Sequence, residues 1–343
     1  MTSREIVLQA INRQSPKDSR LPSALLSGGT WTFRQKGLTL KEILDKPELA
    51  APVIVEINRQ IGSDIVWPGS GYHNLLVHVL GGKIKFRPQG NIDVLEPLLD
   101  NVAVIDQINL DQVDEHEWII ALRRIIAEVS AAVGNEFLVG TSSWGPFTLA
   151  GQLFGVERLM SGLYKDKAAI HALLDFTTEL CFRYLAPAID LGANILSIAE
   201  PTASGDLISY QHFAEFVAPY LAKINRRIKD RGALVTLHIC GKLHENRLAM
   251  VSDLSVDFLS VDYKVDLRLA QKILDGKVAF AGNVNPVLLK EGTPEQVTKA
   301  AQECIDQVGR YHNYVLMPGC DIPPGVPLEN VKAFLNTVNK LPA

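Results

Sequence analysis

VTLHIC (residues 235–240) is a short, largely apolar run that closes just before Gly241. Unbroken rather than alternating hydrophobicity is typical of a strand buried on both faces of a parallel sheet. Seven further runs of this kind occur, and several of them end on Gly, Pro or a polar residue. The predicted strands are Pro22–Ser27, Asp64–Pro68, Phe137–Ser142, Asn194–Ala199, Val235–Cys240, Phe258–Asp262, Val278–Gly282 and Tyr314–Pro318.

Helical patterns separate most of these strands. The predicted helices in the second half of the chain are Val156–Ser161, Lys167–Leu191, His212–Arg231, Pro294–Val308 and Pro327–Asn339. Eight strands that alternate with helices predict an α/β fold, a closed (β/α)8 TIM barrel. An open doubly wound sheet is the alternative that the pattern leaves open. We expect residues 1–343 to form a single domain.

Two connections are longer than a minimal barrel needs. Residues 28–63, after the first predicted strand, contain a predicted helix at Leu40–Gly62. Residues 69–136, after the second strand, contain LGGKIKF (80–86), which predicts a small hairpin or an extra strand, and a predicted helix at Asp114–Val133. We interpret both as insertions in the barrel rather than as a separate domain.

The composition excludes several classes of protein. The chain has 34 Lys+Arg against 38 Asp+Glu and lacks a basic cluster, which argues against binding nucleic acid. It lacks an apolar segment of about 18 residues, which argues against a membrane span, and its first residues do not resemble a secretory signal. Four cysteines are too few for a disulfide scaffold in 343 residues, which favours a reducing compartment, the cytoplasm.

His238 and Cys240 are two residues apart in a predicted strand, so their side chains point the same way. Cys320 follows the last predicted strand in VLMPGC. Active sites of TIM barrels lie at the carboxyl ends of the strands, and imidazole and thiol ligands suit Zn²⁺ with one open position. Packing in the core is the equally weighted alternative, because buried cysteines commonly behave as small hydrophobic residues. Cys181 and Cys304 lie within helical patterns, and we expect both to pack.

Several longer motifs carry a resemblance to a known family. GPFTLAGQLFGVE (145–157), TLHICG (236–241), GNVNP (282–286) and PGCDIPPGVPLENVKAF (318–334) resemble the uroporphyrinogen decarboxylase superfamily, as does REIVLQAINRQSPKDSRLP (4–22). Within it, the H-x-C and P-G-C motifs resemble the methylcobamide:coenzyme M methyltransferase (MtaA/MtbA-like) branch. The resemblance implies that His238, Cys240 and Cys320 bind a catalytic Zn²⁺, which activates a small thiol acceptor such as coenzyme M.

The resemblance also suggests further site residues and a partner. Glu200, where the family often has Asp, is the candidate fourth zinc ligand, with helix capping as the alternative. Asp262 and Asn283 are candidate catalytic residues that line the site. The cobalt-binding motif D-x-H-x-x-G is absent, since position 119 after Asp114-Glu115-His116 is Ile. A methylcorrinoid is therefore expected to arrive on a separate corrinoid carrier protein.

Other functions remain as alternatives. A decarboxylase would carry Arg-Gln-Ala-Gly-Arg where this chain has Arg34-Gln35-Lys36-Gly37-Leu38, so the second arginine is missing. Demethylation of a methyl donor onto a corrinoid protein, or transfer to tetrahydrofolate, also fits the motifs, as does a barrel that only binds a metal or a partner. The sulfonate of coenzyme M would need a cation or a nest of backbone N–H groups nearby; Arg34 and Lys242 are the candidate cations. Tyr72 and His73 are expected either to face the site or to lie in a surface loop.

Overall fold

The computed structural model describes residues 1–14, 20–88, 90–309 and 313–340. A curved parallel sheet of seven strands has the order β1-β4-β5-β6-β7-β8-β9, and β2 pairs with β3 in a separate antiparallel hairpin. The strands are β1 (Ile65–Val66), β2 (Ile84–Phe86), β3 (Ile92–Val94), β4 (Leu138–Trp144), β5 (Ile195–Ala199), β6 (Leu234–Ile239), β7 (Phe258–Val261), β8 (Ala279–Val284) and β9 (Tyr314–Pro318).

The barrel closes between β9 and β1 through a single residue rather than a full strand. Ser23 bridges Leu316 of β9, whose backbone N–H donates to the carbonyl of Pro22 at 2.9 Å. On the other side, the Asp64 N–H donates to the Ser23 carbonyl at 2.9 Å. The predicted strand Pro22–Ser27 is therefore reduced to this bridge, and the predicted TIM barrel is confirmed.

Helices cover the outside of the sheet. They are α1 (Ser3–Ile11), α2 (Gly29–Arg34), α3 (Leu40–Asp45), α4 (Ala50–Ile61), α5 (Leu75–Val79), α6 (Gln112–Glu115), α7 (Glu117–Val133), α8 (Pro146–Phe154), α9 (Val156–Lys165), α10 (Lys167–Leu185), α11 (Pro187–Asp190), α12 (Tyr210–Phe216), α13 (Ala218–Asp230), α14 (Glu245–Val251), α15 (Leu267–Leu274), α16 (Pro286–Glu291), α17 (Pro294–Val308) and α18 (Leu328–Leu335). Short 3₁₀ helices span Pro47–Leu49, Val102–Gln107, Pro201–Ala203 and Asn336–Lys340.

Three predicted helices are divided at prolines. Leu40–Gly62 breaks at Pro47, Lys167–Leu191 breaks at Pro187, and His212–Arg231 breaks just before Pro219. Proline lacks the N–H that would continue the helix and fits its first turn, so each break starts a new helix. Residues 80–86, predicted to form a small hairpin or an extra strand, contain β2, and the hairpin is completed by β3 outside this segment.

The barrel interior is apolar at the amino end of the strands. Leu138, Ile195, Phe258 and Val315 belong to one buried cluster with side chains of α1, which covers this end. The polar side chains that follow on the same inward faces therefore lie toward the carboxyl end, the mouth of the barrel. Among the described residues, no helix is long and apolar enough to cross a membrane. The cytoplasmic location and the single-domain organisation stay predictions.

Candidate metal centre

Three of the predicted ligands meet at the barrel mouth. His238 is on β6, Cys240 directly follows β6, and Cys320 follows β9. Cys240 Sγ lies 3.3 Å from His238 Nε2 and 3.7 Å from Cys320 Sγ. Within the described part of the chain, these residues form the one group of three or more His, Cys, Asp or Glu side chains that could hold a metal ion, with ligand atoms all within 4.8 Å of one another.

A neighbouring strand orients the imidazole. Ser260 on β7 is the register partner of His238, and its Oγ lies 3.1 Å from His238 Nδ1. With the proton on Nδ1, the ring donates to Ser260 and leaves the Nε2 lone pair directed at the thiols. Metal-binding histidines generally have such a partner, which sets the tautomer and the ring orientation.

The pKa values of the Cys240 and Cys320 thiols are shifted in opposite directions. Their mutual hydrogen bond lowers the pKa of Cys320 and raises the pKa of Cys240, which burial raises further. A divalent ion bound between them would stabilise both as thiolates, because a coordinated thiol loses its proton. One imidazole nitrogen and two sulfurs are a ligand set that fits Zn²⁺ with an open position. The two cysteine side chains are partly exposed at the mouth.

Two residues that the sequence analysis missed position Cys320. Gly319 has room for hydrogen only, since a Cβ there would lie 2.4 Å from the backbone nitrogen of Tyr263. The Asp321 carboxylate accepts from the N–H groups of Gly28 and Ile322, both at 2.9 Å. Burial raises the pKa of Asp321 to about 6. The P-G-C-D motif could have indicated both residues, because they flank the ligand directly.

Asp262 and Asn283 hold the backbone beside the site. The Asp262 carboxylate accepts from the N–H of Gly241 and the N–H of Lys264, both at 2.9 Å. The Asn283 amide donates to the Asp262 carbonyl at 3.0 Å and to the Val265 carbonyl at 2.7 Å. These contacts shape the turns that follow β6 and β7. The catalytic roles assigned to both residues from the sequence stay predictions.

Glu200 lies outside the ligand group and caps a helix. Its carboxylate accepts from the N–H groups of Phe147 and Thr148 at 2.9 and 2.8 Å, and from the Thr148 hydroxyl at 2.6 Å, at the start of α8. Burial raises the pKa of Glu200 to about 7, although these hydrogen bonds act to lower it. The geometry matches the capping alternative, and the role of Glu200 as a fourth ligand stays a prediction.

An aromatic pair lies at the end of β4, two strands away from His238. His73 stacks on Trp144 with ring centroids 4.5 Å apart, and its Nε2 lies 2.8 Å from Ser142 Oγ. The Trp144 indole N–H donates to Asn74 Oδ1 at 2.6 Å. Burial lowers the pKa of His73 to about 4, so the ring is neutral at physiological pH. The neighbouring Tyr72 is buried, and its hydroxyl donates to the Leu40 carbonyl at 3.2 Å.

The other predicted residues lie apart from the ligand group. The thiols of Cys181 and Cys304 are buried in α10 and α17, and burial raises the pKa of each. Asp114 forms ion pairs with two arginines on the surface. Arg34 lines a separate cavity of about 260 Å³ next to the hairpin. Lys242 is exposed.

Known proteins resemble this chain over most of its length. A methylcobamide:CoM methyltransferase MtbA of Methanosarcina mazei is 30% identical over 259 residues, which are 75% of this chain and 73% of that protein. A uroporphyrinogen decarboxylase of Chlorobium limicola is 25% identical over 364 aligned positions, covering 99% of this chain and 98% of that protein.

A solved structure has the same fold. The solved structure of a methyltransferase from Methanosarcina mazei superposes with a TM-score of 0.87 at 24% identity, covering 99% of both chains. The family model described as uroporphyrinogen decarboxylase (URO-D) matches residues 2–341. Because that match spans nearly the entire chain, the protein belongs to the uroporphyrinogen decarboxylase family.

Proposed function

We propose that this protein is a zinc-dependent methyltransferase that moves a methyl group from a methyl-Co(III) corrinoid to a small thiol such as coenzyme M. The observation that carries the proposal is the convergence of His238, Cys240 and Cys320 within 4.8 Å at the barrel mouth. The methylcobamide:CoM methyltransferase activity of the relative named above supports the substrate classes.

His238, Cys240 and Cys320 would hold the Zn²⁺. Bound there, the ion would supply Lewis-acid chemistry that lowers the pKa of the acceptor thiol; a free thiol, with a pKa of about 8.5, is mostly protonated at neutral pH. The thiolates of Cys240 and Cys320 would offset the charge of the ion, so that the acceptor sulfur would stay electron-rich. The Ser260 contact keeps His238 Nε2 directed at the group.

The overall reaction balances without a further reactant. The thiol proton leaves to solvent, a carbon–sulfur bond forms as the carbon–cobalt bond breaks, and its electron pair stays on cobalt as Co(I). Decarboxylation, suggested by the relative from Chlorobium limicola, would leave the His/Cys/Cys group without a role. This chain also lacks the second arginine of the decarboxylase motif, since position 38 is leucine.

A methyl-transfer assay tests the proposal. We expect the zinc-loaded protein to demethylate methylcobalamin in the presence of coenzyme M, with the absorbance change that marks Co(III) becoming Co(I). Homocysteine and tetrahydrofolate, supplied in parallel, identify the acceptor class. Transfer in the opposite direction only, or activity with tetrahydrofolate and no thiol, would replace the proposed reaction with its alternatives. A protein that purifies without stoichiometric zinc would contradict it.

The corrinoid is proposed to arrive on a carrier protein that docks on the rim of the mouth. Leu207, Tyr263 and Val287 follow β5, β7 and β8, and their side chains are exposed by 58, 43 and 50%. We infer that these three side chains contribute to the docking surface, because exposed apolar patches mark sites of protein interaction.

Aspartate substitutions at this rim should affect methyl transfer from a corrinoid protein but not from free methylcobalamin. We expect Leu207→Asp and Val287→Asp to weaken methyl transfer from a corrinoid protein about 10-fold or more, because burying a carboxylate in an interface is costly. Transfer from free methylcobalamin should be unchanged. Ala132→Asp is the matched control, since Ala132 is exposed in the last turn of α7, at the opposite end of the barrel. Equal losses with both donors would contradict carrier docking here.

A further inference from the structure

Trp144, Ala199 and His238 form a row across three neighbouring strands. Trp144 of β4 is the register partner of Ala199 of β5, which is the register partner of His238 of β6. Leu138 and Ile195, at even spacing from Trp144 and Ala199, belong to the cluster inside the barrel. Since strand side chains alternate between faces, all members of this row face the interior at the mouth.

The centre of the row is open. Ala199 is partly exposed although the flanking Ile198 and Glu200 are fully buried. Neighbouring strands lie about 4.8 Å apart, so the backbones of Trp144 and His238 are separated by about 10 Å, and the side chain between them in this row is only the methyl group of Ala199. Trp144 and Cys240 are also partly exposed, on opposite sides of this gap.

The far wall of the gap is held in place. The Trp144 indole is fixed by its hydrogen bond to Asn74 at 2.6 Å and by stacking on His73. His73 is in turn held by Ser142, two residues before Trp144 on the same face. A side chain fixed from two directions offers a pre-organised surface, which lowers the entropic cost of binding a ligand.

We propose that Ala199 and Trp144 form the floor and the far wall of the subsite for the tail of the thiol acceptor, and that they set the size of the acceptor. The inference rests on the proposed function, because it places the reacting sulfur at the His238/Cys240/Cys320 group. A tail that extends from this group over Ala199 meets the indole after a few bonded atoms. The indole is uncharged and largely apolar, so it contacts methylene groups of the tail, and its fixed position limits how long the tail can be.

Filling the floor should exclude the acceptor while the metal stays bound. We expect Ala199→Leu to raise both the KM and the Kd for coenzyme M about 10-fold or more, because one or two methylene groups in a fitted pocket discriminate by 10-fold to 200-fold. Ala199→Val should give a smaller rise. In both variants, the affinity for homocysteine should fall more than the affinity for the smaller 2-mercaptoethanol. Zinc content should stay at the wild-type level. Ala132→Leu, on the exposed face of α7, is the matched control.

Thiol binding is read without any methyl donor. Replacing zinc with Co²⁺ gives a thiolate-to-cobalt absorption band that reports the Kd directly. If Ala199→Leu and Ala199→Val bind thiols with the same Kd as the wild type, the proposed subsite is wrong. If the wild type binds thiols and the variants do not, the subsite stands even if methyl transfer runs in the other direction. A wild type that binds neither metal nor thiol would overturn the proposed function, and the subsite with it.

Discussion

Cys240→Ala is expected to yield a folded protein without stoichiometric zinc and with at least 100-fold lower methyl transfer to coenzyme M. Substitutions of residues that only orient metal ligands typically cost 10-fold to 100-fold in affinity or activity. Cys240 is itself a proposed ligand and lies between the other two, at 3.3 Å from His238 Nε2 and 3.7 Å from Cys320 Sγ. Its loss leaves two donors that no longer enclose an ion.

The fold should tolerate this change. Cys240 follows the end of β6 and is partly exposed, so its side chain contributes little to the core. Zinc content by elemental analysis and the melting temperature would separate loss of metal from loss of structure. Bound zinc itself stabilises the native state, so we expect Cys240→Ala to melt at a modestly lower temperature than the wild type. This difference should disappear when chelator is added to both proteins.

Cys304→Ala is the matched control for the same chemical change. Cys304 is buried in α17, and its thiol donates to Asn283 Oδ1 at 3.7 Å rather than facing the other thiols. This variant should keep one zinc per chain and most of its activity, although a smaller side chain in the core lowers stability. Equal zinc content in Cys240→Ala and Cys304→Ala would contradict the proposed site.

The barrel strands and the ligand group were predictable from the sequence for a local reason. Strand side chains alternate, so the spacing of His238 and Cys240 determines that they share a face. Strands buried on both faces of a parallel sheet are mostly apolar, which marks the strands individually. The segment Pro22–Ser27 shares this pattern but pairs through Ser23 only. A hydrophobic pattern in the sequence therefore predicts that a segment is buried, but not how many backbone hydrogen bonds it makes with its neighbours.

The remaining site features depend on contacts between distant segments. Trp144 is fixed by residues about 70 positions earlier, and Asp321 binds the backbone of Gly28. Glu200 follows a strand just as a ligand would, and its sequence position fits ligation and capping equally well. The contacts with Phe147 and Thr148, more than 50 residues away, match the capping role. Only the tertiary structure brings these groups together.

Glu200 is the residue for which those two roles predict opposite results. As a cap, Glu200→Ala should leave zinc content unchanged and destabilise the protein by about 2–4 kcal/mol, because the buried N–H groups of Phe147 and Thr148 lose their acceptor. As a fourth ligand, the same substitution would lower the zinc content or the zinc affinity instead. Chemical denaturation and elemental analysis of one sample distinguish these outcomes, and Glu200→Gln keeps the side-chain volume.

The pH dependence of stability gives an independent measurement of Glu200. Burial raises its pKa from 4.5 to about 7, so the native state retains a proton that the unfolded state releases. The resulting stabilisation is complete below about pH 4.5 and is lost as the pH rises through about 7, a decrease of about 3 kcal/mol. The nearby Cys181 thiol stays protonated in this window, since burial raises its pKa.

Glu200→Gln cannot ionise, so this part of the pH dependence should disappear from the variant. The difference in unfolding free energy between wild type and variant should therefore change by about 3 kcal/mol between pH 4.5 and pH 8, while the contributions of other groups such as Asp321 cancel. A difference that is constant across this range would show that Glu200 ionises at its ordinary pKa. In that case the three donors at the start of α8 compensate fully for the burial of the carboxylate.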